Sequence, residues 1–228
     1  MNNPKQLTFP WNKENKSSFK GFYPTESNKQ LLHLLQDADF ADDLLIFGPK
    51  DSGKTYLLQA LCNRTNNNGK SSLFLPMKQA IKLSTDILDS LEEIELVCLD
   101  GIDHVIGNKA WETAMFNLIN RSLNSNNRLI FTFSKNIHNI NFNLNDLNSR
   151  LRKIQSHELY ALADDEILSA LKHIANLRSI ELGSKEAQYL LTYANRNISD
   201  LVQILESLDQ LSMEMKRKIT IPLIKEVI

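Results

Sequence analysis

Residues 44–55 read LLIFGPKDSGKT: four apolar residues, a glycine-rich loop, then a lysine and a threonine at the head of a helical pattern. Gly48, Gly53, Lys54 and Thr55 complete G-x-x-x-x-G-K-[ST] in the strand–loop–helix setting that this motif requires. Its physical logic is a cradle for phosphates. The loop Gly48, Pro49, Lys50, Asp51, Ser52, Gly53 lets backbone N–H groups surround an anion, and the following helix N-terminus favours negative charge. Lys54 is placed to reach β and γ phosphates, and Thr55 to ligate Mg²⁺, so ADP or ATP with Mg²⁺ is the expected ligand. A loop of this kind ends a strand of a parallel sheet. The chain must therefore be α/β at its centre.

The rest of the sequence agrees. Apolar runs at 44–47, 72–75, 96–99, 129–133 and 158–162 read as strands covered on both faces. Helical patterns at 54–64, 79–91, 110–123 and 146–152 alternate with them, and the asparagine-rich stretches NNNG (66–69) and NSNN (124–127) suit turns. The alternation predicts a parallel sheet of about five strands wrapped by helices. Beyond residue 162 strands cease. Asp164-Asp165 is expected to cap a helix to about Ser179, Ser184 and Glu186 to open a second, Ser199-Asp200 a third, and Pro222 a last short turn. This divides the chain into a tail (1–20), a nucleotide-binding base (21–162) and a small helical unit (163–228).

Hydrolysis needs more than a cradle. It takes an acid on a second strand to hold Mg²⁺ and a carboxylate beside it to orient water. LVCLDGID supplies Asp100 for the first role, but Gly101 stands where the second acid belongs. Asp103, three residues on, reads as a cap or turn acid. The pocket should hold nucleotide well and cleave it poorly. Thr132 and Ser134, at the end of the strand 129–133, are candidates to sense the terminal phosphate or to cap the strand. The five histidines show no metal-ligand spacing. Cys62 and Cys98, far apart in apolar segments, read as two buried thiols in a reducing compartment. Net charge of −1 gives no reason for strong non-specific nucleic-acid binding, and Lys216-Arg217-Lys218 reads as solvated surface. The first residues lack the apolar run of a signal peptide, and no stretch is long enough to span a bilayer, so the cytoplasm is expected and a membrane is not.

At the start, QLTFPW offers an amide fork at Gln6 and apolar anchors at Leu7, Phe9 and Trp11, stiffened by Pro10. Together with LVCLDGID, the run Ala110-Trp111-Glu112, NSRL (148–151) and KRKITIPLIKEVI (216–228), it makes the chain resemble the Hda family, regulatory inactivators of the replication initiator DnaA and similar to its AAA+ ATPase module. The resemblance spans essentially the whole chain. It implies an AAA+ P-loop domain with a five-stranded parallel sheet and a small C-terminal three-helix lid. It implies that Gln6, Leu7, Phe9, Pro10 and Trp11 dock on the sliding clamp, the β subunit of DNA polymerase III, with DNA met only through the clamp.

By the same resemblance, Arg150 stands at the arginine-finger position and would complete an ATP site on DnaA in trans, driving the initiator to its inactive ADP form. Three positions depart from the family pattern. Arg152, Lys153 and Ile154 replace an aromatic–glycine pair after NSRL. Ser199 stands where relatives carry a nucleotide-sensing arginine, with Arg196 nearly a turn away. Phe22 and Tyr23 border the base in the family, although two aromatics near a domain edge also suit a core. The chain stops at Ile228 where the lid ends, which argues against an initiator fragment with its own DNA-binding domain. The other rival is an autonomous, helicase-loader-like ATPase. Self-association is open.

Overall fold

Inside each apolar run, alternate side chains leave opposite faces of a strand, so a strand can be apolar throughout only if both its faces are covered. The computed structural model, which describes residues 17–37 and 40–228, satisfies that demand. Five parallel strands, β1 (Leu44–Phe47), β2 (Ser72–Pro76), β3 (Leu96–Asp100), β4 (Arg128–Phe133) and β5 (Gln155–Glu158), lie in the order β2-β3-β4-β1-β5. Leu45, Val97, Leu99, Leu129 and Phe131 face one side, where Trp111, Met115 and Leu118 of helix α4 (Lys109–Ser122) cover them. Leu44, Ile46, Cys98 and Ile130 face the other, beneath α1 (Lys29–Gln36) and α2 (Lys54–Asn67). Cys62 and Cys98 are both buried and free.

Two expected elements differ. The last strand is Gln155–Glu158 rather than 158–162, because at the sheet edge it needs only one partner and carries polar side chains. Leu159 follows it, buried, its N–H still donating to the Phe47 carbonyl at 2.7 Å. The span 79–91 is not one helix. A single turn, α3 (Met77–Ala80), gives way to 3-10 turns at Thr85–Leu88 and Leu91–Glu93. Ser84 accepts from the Asp86 N–H, and Ser90 adopts φ 60°, so the chain breaks on both sides of residues 85–88. The helix α5 (Asn145–Leu151) carries NSRL.

The C-terminal unit has its own apolar core, built by α6 (Ile167–Leu177), α7 (Ser184–Tyr193), α8 (Ile198–Met215) and the short α9 (Ile221–Lys225), with Pro222 in its first turn. Asp164 and Asp165 precede α6 without capping it. The flanking residue is Glu166, whose side chain accepts from the Ala163 N–H instead. Likewise Asn197, not Ser199, caps α8, accepting from the Ser199 N–H at 2.8 Å. Among the described residues no helix is long and apolar enough to cross a membrane.

Candidate nucleotide site

Since β1 sits between β4 and β5, the loop after it opens beside the ends of β3 and β4, the usual place for a ligand in an open parallel sheet. The loop's shape is enforced by close packing. A Cβ on Gly48 would lie 2.2 Å from the carbonyl oxygen of Leu159, and one on Gly53 2.7 Å from the Phe22 ring. Gly53 has φ 97° and Asp51 φ 65°, which turns the chain sharply into α2. No side chain caps that helix, so its first N–H groups face the loop. The loop has the shape of a phosphate cradle, with Pro49, Lys50, Asp51 and Ser52 between its two glycines.

Lys54 closes the cradle on itself. Its ammonium donates to the carbonyls of Gly48 (2.7 Å) and Pro49 (2.6 Å) and more weakly to the Ser52 hydroxyl (3.4 Å). Burial pushes its pKa below the ordinary lysine value, while the carboxylates of Asp100, Asp103 and Asp51 oppose that shift. The charge is thus held where phosphate oxygens would sit. Asp100 is bracketed by two hydroxyls: Thr55 donates to one carboxylate oxygen and Thr132 to the other, each at 2.7 Å. Thr132, fully buried, also accepts the Gly101 N–H at 2.7 Å, so both its roles are filled. Gly101 turns away at φ 74°. Thr55 and Asp100 are the pair that would hold Mg²⁺ against the phosphates.

Asp103 does not cap its own turn. It accepts the N–H of Ser134 at 2.8 Å and so fastens the end of β4. Ser134 itself is exposed at that end. Of the two sensing candidates, then, Thr132 is locked on Asp100 and Ser134 stays open.

A cleft of about 1870 Å³ runs from the loop between the base and the lid. Phe22 and Tyr23 line it from the N-terminal side and are half-buried; Phe22 also packs against the core beneath α1 and α2. Ser199 lines it from the lid. Arg196 is engaged elsewhere, at 3.7 Å from Asp164 and donating to the Leu191 carbonyl at 3.3 Å. The guanidinium that the lid does bring to the cleft is Arg178, paired with Glu206 on α8, a contribution for which the sequence carries no local signal.

Arg150 sits in the last turn of α5, half-buried, and among the described residues it forms no ion pair. It makes no hydrogen bond with the cradle residues either. Arg152 donates to Asn141 at 3.2 Å. The QLTFPW residues Gln6, Leu7, Phe9, Pro10 and Trp11 lie outside the described residues.

Residues 164–228 match the family model of the Hda lid domain. Solved structures supply the rest of the comparison. AMPPCP-bound DnaA from Aquifex aeolicus superposes with TM-score 0.70 at 18% identity, over 87% of this chain and 67% of that one. Domain III of the Thermotoga maritima replication initiation protein DnaA gives 0.73 at 17% identity, over 96% and 99%. The Thermotoga maritima RuvB Holliday junction branch migration motor gives 0.67 at 16%, over 93% and 71%. A DNA replication initiation factor aligns over 66% of its own length, so the chain spans about two thirds of it. At these identities the structural likeness establishes the fold alone: a five-stranded parallel sheet wrapped by helices, followed by a small helical unit.

Proposed function

We propose that this Hda-type, DnaA-related AAA+ protein is a replication regulator that keeps its own nucleotide bound and lends Arg150 to a neighbour's ATP. The Hda lid on a DnaA-like module carries the reading. The neighbour is DnaA, and the meeting place is the DNA-loaded sliding clamp, reached through Gln6, Leu7, Phe9, Pro10 and Trp11. Hydrolysis on DnaA would leave the initiator in its ADP form and stop a second round of initiation. All of this is cytoplasmic.

The site geometry supports the nucleotide-holding part and leaves Arg150 available for the other. The loop residues fit a nucleotide: Lys54, the uncapped α2 and the Thr55–Asp100 pair would hold ADP or ATP with Mg²⁺, as a DnaA relative holds AMPPCP. Bound Mg²⁺ would neutralise phosphate charge. The position beside Asp100 offers no acid, since Gly101 has no side chain, and one oxygen of Asp103 accepts the Ser134 N–H. A guanidinium with no carboxylate partner among the described residues is suited to charge that appears in another molecule. Such a finger contributes about a thousandfold or more in rate. In a reconstituted assay with DnaA-bound ATP and DNA-loaded clamp, Arg150→Ala should lower hydrolysis by at least about a hundredfold. Gln6→Ala should fail only when clamp is present. Brisk phosphate release by the isolated protein, abolished by Lys54→Ala, would favour a motor instead.

A further inference from the structure

Glu112 is a carboxylate with 1% exposure on α4, flanked by the buried Trp111 and Met115. Among the described residues no cation pairs with it. A buried charge without a counter-ion needs strong hydrogen bonds to persist. It has two, one on each oxygen: the N–H of Gly107 donates to Oε1 and the N–H of Leu144 to Oε2, each at 2.8 Å. Both are charge-assisted bonds from backbone.

The two amides belong to different segments. Gly107 ends the turn that begins at Asp100 and Gly101 in the nucleotide site. Leu144 is the residue from which α5 starts, and its own side chain does not cap that helix. Three further bonds hold the stretch between β4 and α5. Asp103 fastens Ser134 at its beginning. Asn148, buried within NSRL, accepts from the Phe142 N–H at 2.9 Å and donates to the Phe142 carbonyl at 2.8 Å. The ring of Phe142 meets Phe133 edge-on, with centroids 6.3 Å apart. So the connection from Asp100 to α4 grips residues 134–144 at both ends. Asn148 adds a longer bond to the Leu144 carbonyl at 3.5 Å, and Leu144, Leu147 and Leu151 pack against the same core. The Glu112 bond is thus the polar grip on the helix start that comes from outside the segment.

We infer that Glu112 and Asp103 are positioning residues for Arg150: they set the placement of the finger helix from the same loop that carries the nucleotide site's acid. The inference rests on the proposed role of Arg150. It gives the buried Glu112 a purpose that α4's packing does not require, since an apolar residue would fill that site without a desolvated charge.

Glu112→Gln keeps the shape but offers an amide NH₂ to one of the two backbone donors, so one grip is lost. In the reconstituted assay its maximal rate should fall at least about tenfold with the half-saturating concentration within about twofold of wild type. The double variant with Arg150→Ala should be no slower than Arg150→Ala alone, because both changes remove one contribution. Independently of DnaA, amide exchange over residues 142–151 should quicken at least about tenfold while α2 is unchanged. Should Glu112→Gln fail to fold, Asp103→Ala, which frees the half-buried grip on Ser134, takes the same measurements. Unchanged exchange, or a loss confined to the half-saturating concentration, or additive effects in the double variant, would overturn the inference. If Arg150→Ala behaves as wild type while exchange quickens as expected, the grip stands as a structural fact and the finger reading fails.

Discussion

Gly48 shows how tightly one residue can be specified. An added methyl would sit 2.2 Å from a backbone oxygen that cannot rotate away. Gly48→Ala should therefore shift the loop or the chain at Leu159, lowering stability by about 1–3 kcal/mol and abolishing nucleotide binding. Denaturant unfolding and calorimetric titration read the two effects. Thr132 is specified by polarity instead. Thr132→Val keeps the volume but strands an oxygen of Asp100 and the Gly101 N–H. The expected loss is about 1–3 kcal/mol, seen as a lower denaturant midpoint at unchanged slope. The two glycine-loop residues and the lysine were legible in the sequence because their chemistry is local. Glu112 was not: its partners are backbone amides five and thirty-two residues away, and no side-chain pattern encodes them.

At the scale of elements, β5 is where sequence and structure part, and the cause has a testable consequence. A central strand must be apolar on both faces, so β1, β3 and β4 announced themselves as runs. The edge strand QSHE pairs only with β1, and an apolar run beginning at its end drew the expected boundary too far along. The 3-10 turns within 79–93 were hidden for a related reason, since turns of three or four residues are too short to show a period. On β5, His157 aligns with Ile46, and its Nε2 is buried with no hydrogen-bond partner. Burial lowers its pKa from 6.5, so the folded state disfavours the imidazolium. The stability this neutral ring permits is present above the unfolded-state value. It is lost as pH falls through the folded-state value, where unfolding gains a proton. His157→Phe should narrow the gap between the melting temperatures at about pH 7.5 and about pH 5.5 relative to wild type. An unchanged gap would mean that the ring is hydrated.

Over the whole molecule, base and lid are joined by more than the chain between them. Asn28, 1% exposed, exchanges two bonds with the backbone of Tyr160, donating to its carbonyl at 3.0 Å and accepting its N–H at 2.9 Å. That clasp lies just before the lid. On the lid side, Nε2 of His173 meets the Lys20 carbonyl at 2.9 Å, and Tyr23 packs edge-on against the same ring. Tyr56 on α2 in turn binds both backbone groups of Ser18. The strap of residues 17–28 therefore touches the loop helix, the lid and the linker, and borders the cleft that a nucleotide would fill. Ligand bound there contacts both units, so its binding energy should stabilise both. With ADP at about a hundred times its dissociation constant, the expected gain is about 2.7 kcal/mol. In wild type this should raise one melting transition as a unit, and Lys54→Ala should remove the shift. Asn28→Ala removes the partner of both the N–H and the carbonyl of Tyr160 and loosens the lid's anchor. It should lower the melting temperature without ADP and also shrink the ADP-induced rise, because part of the ligand's binding energy then goes into ordering the lid. A variant that melts earlier but keeps the full ADP shift would show that the clasp supports the base alone. No ADP shift in wild type would remove nucleotide binding from this protein's function altogether.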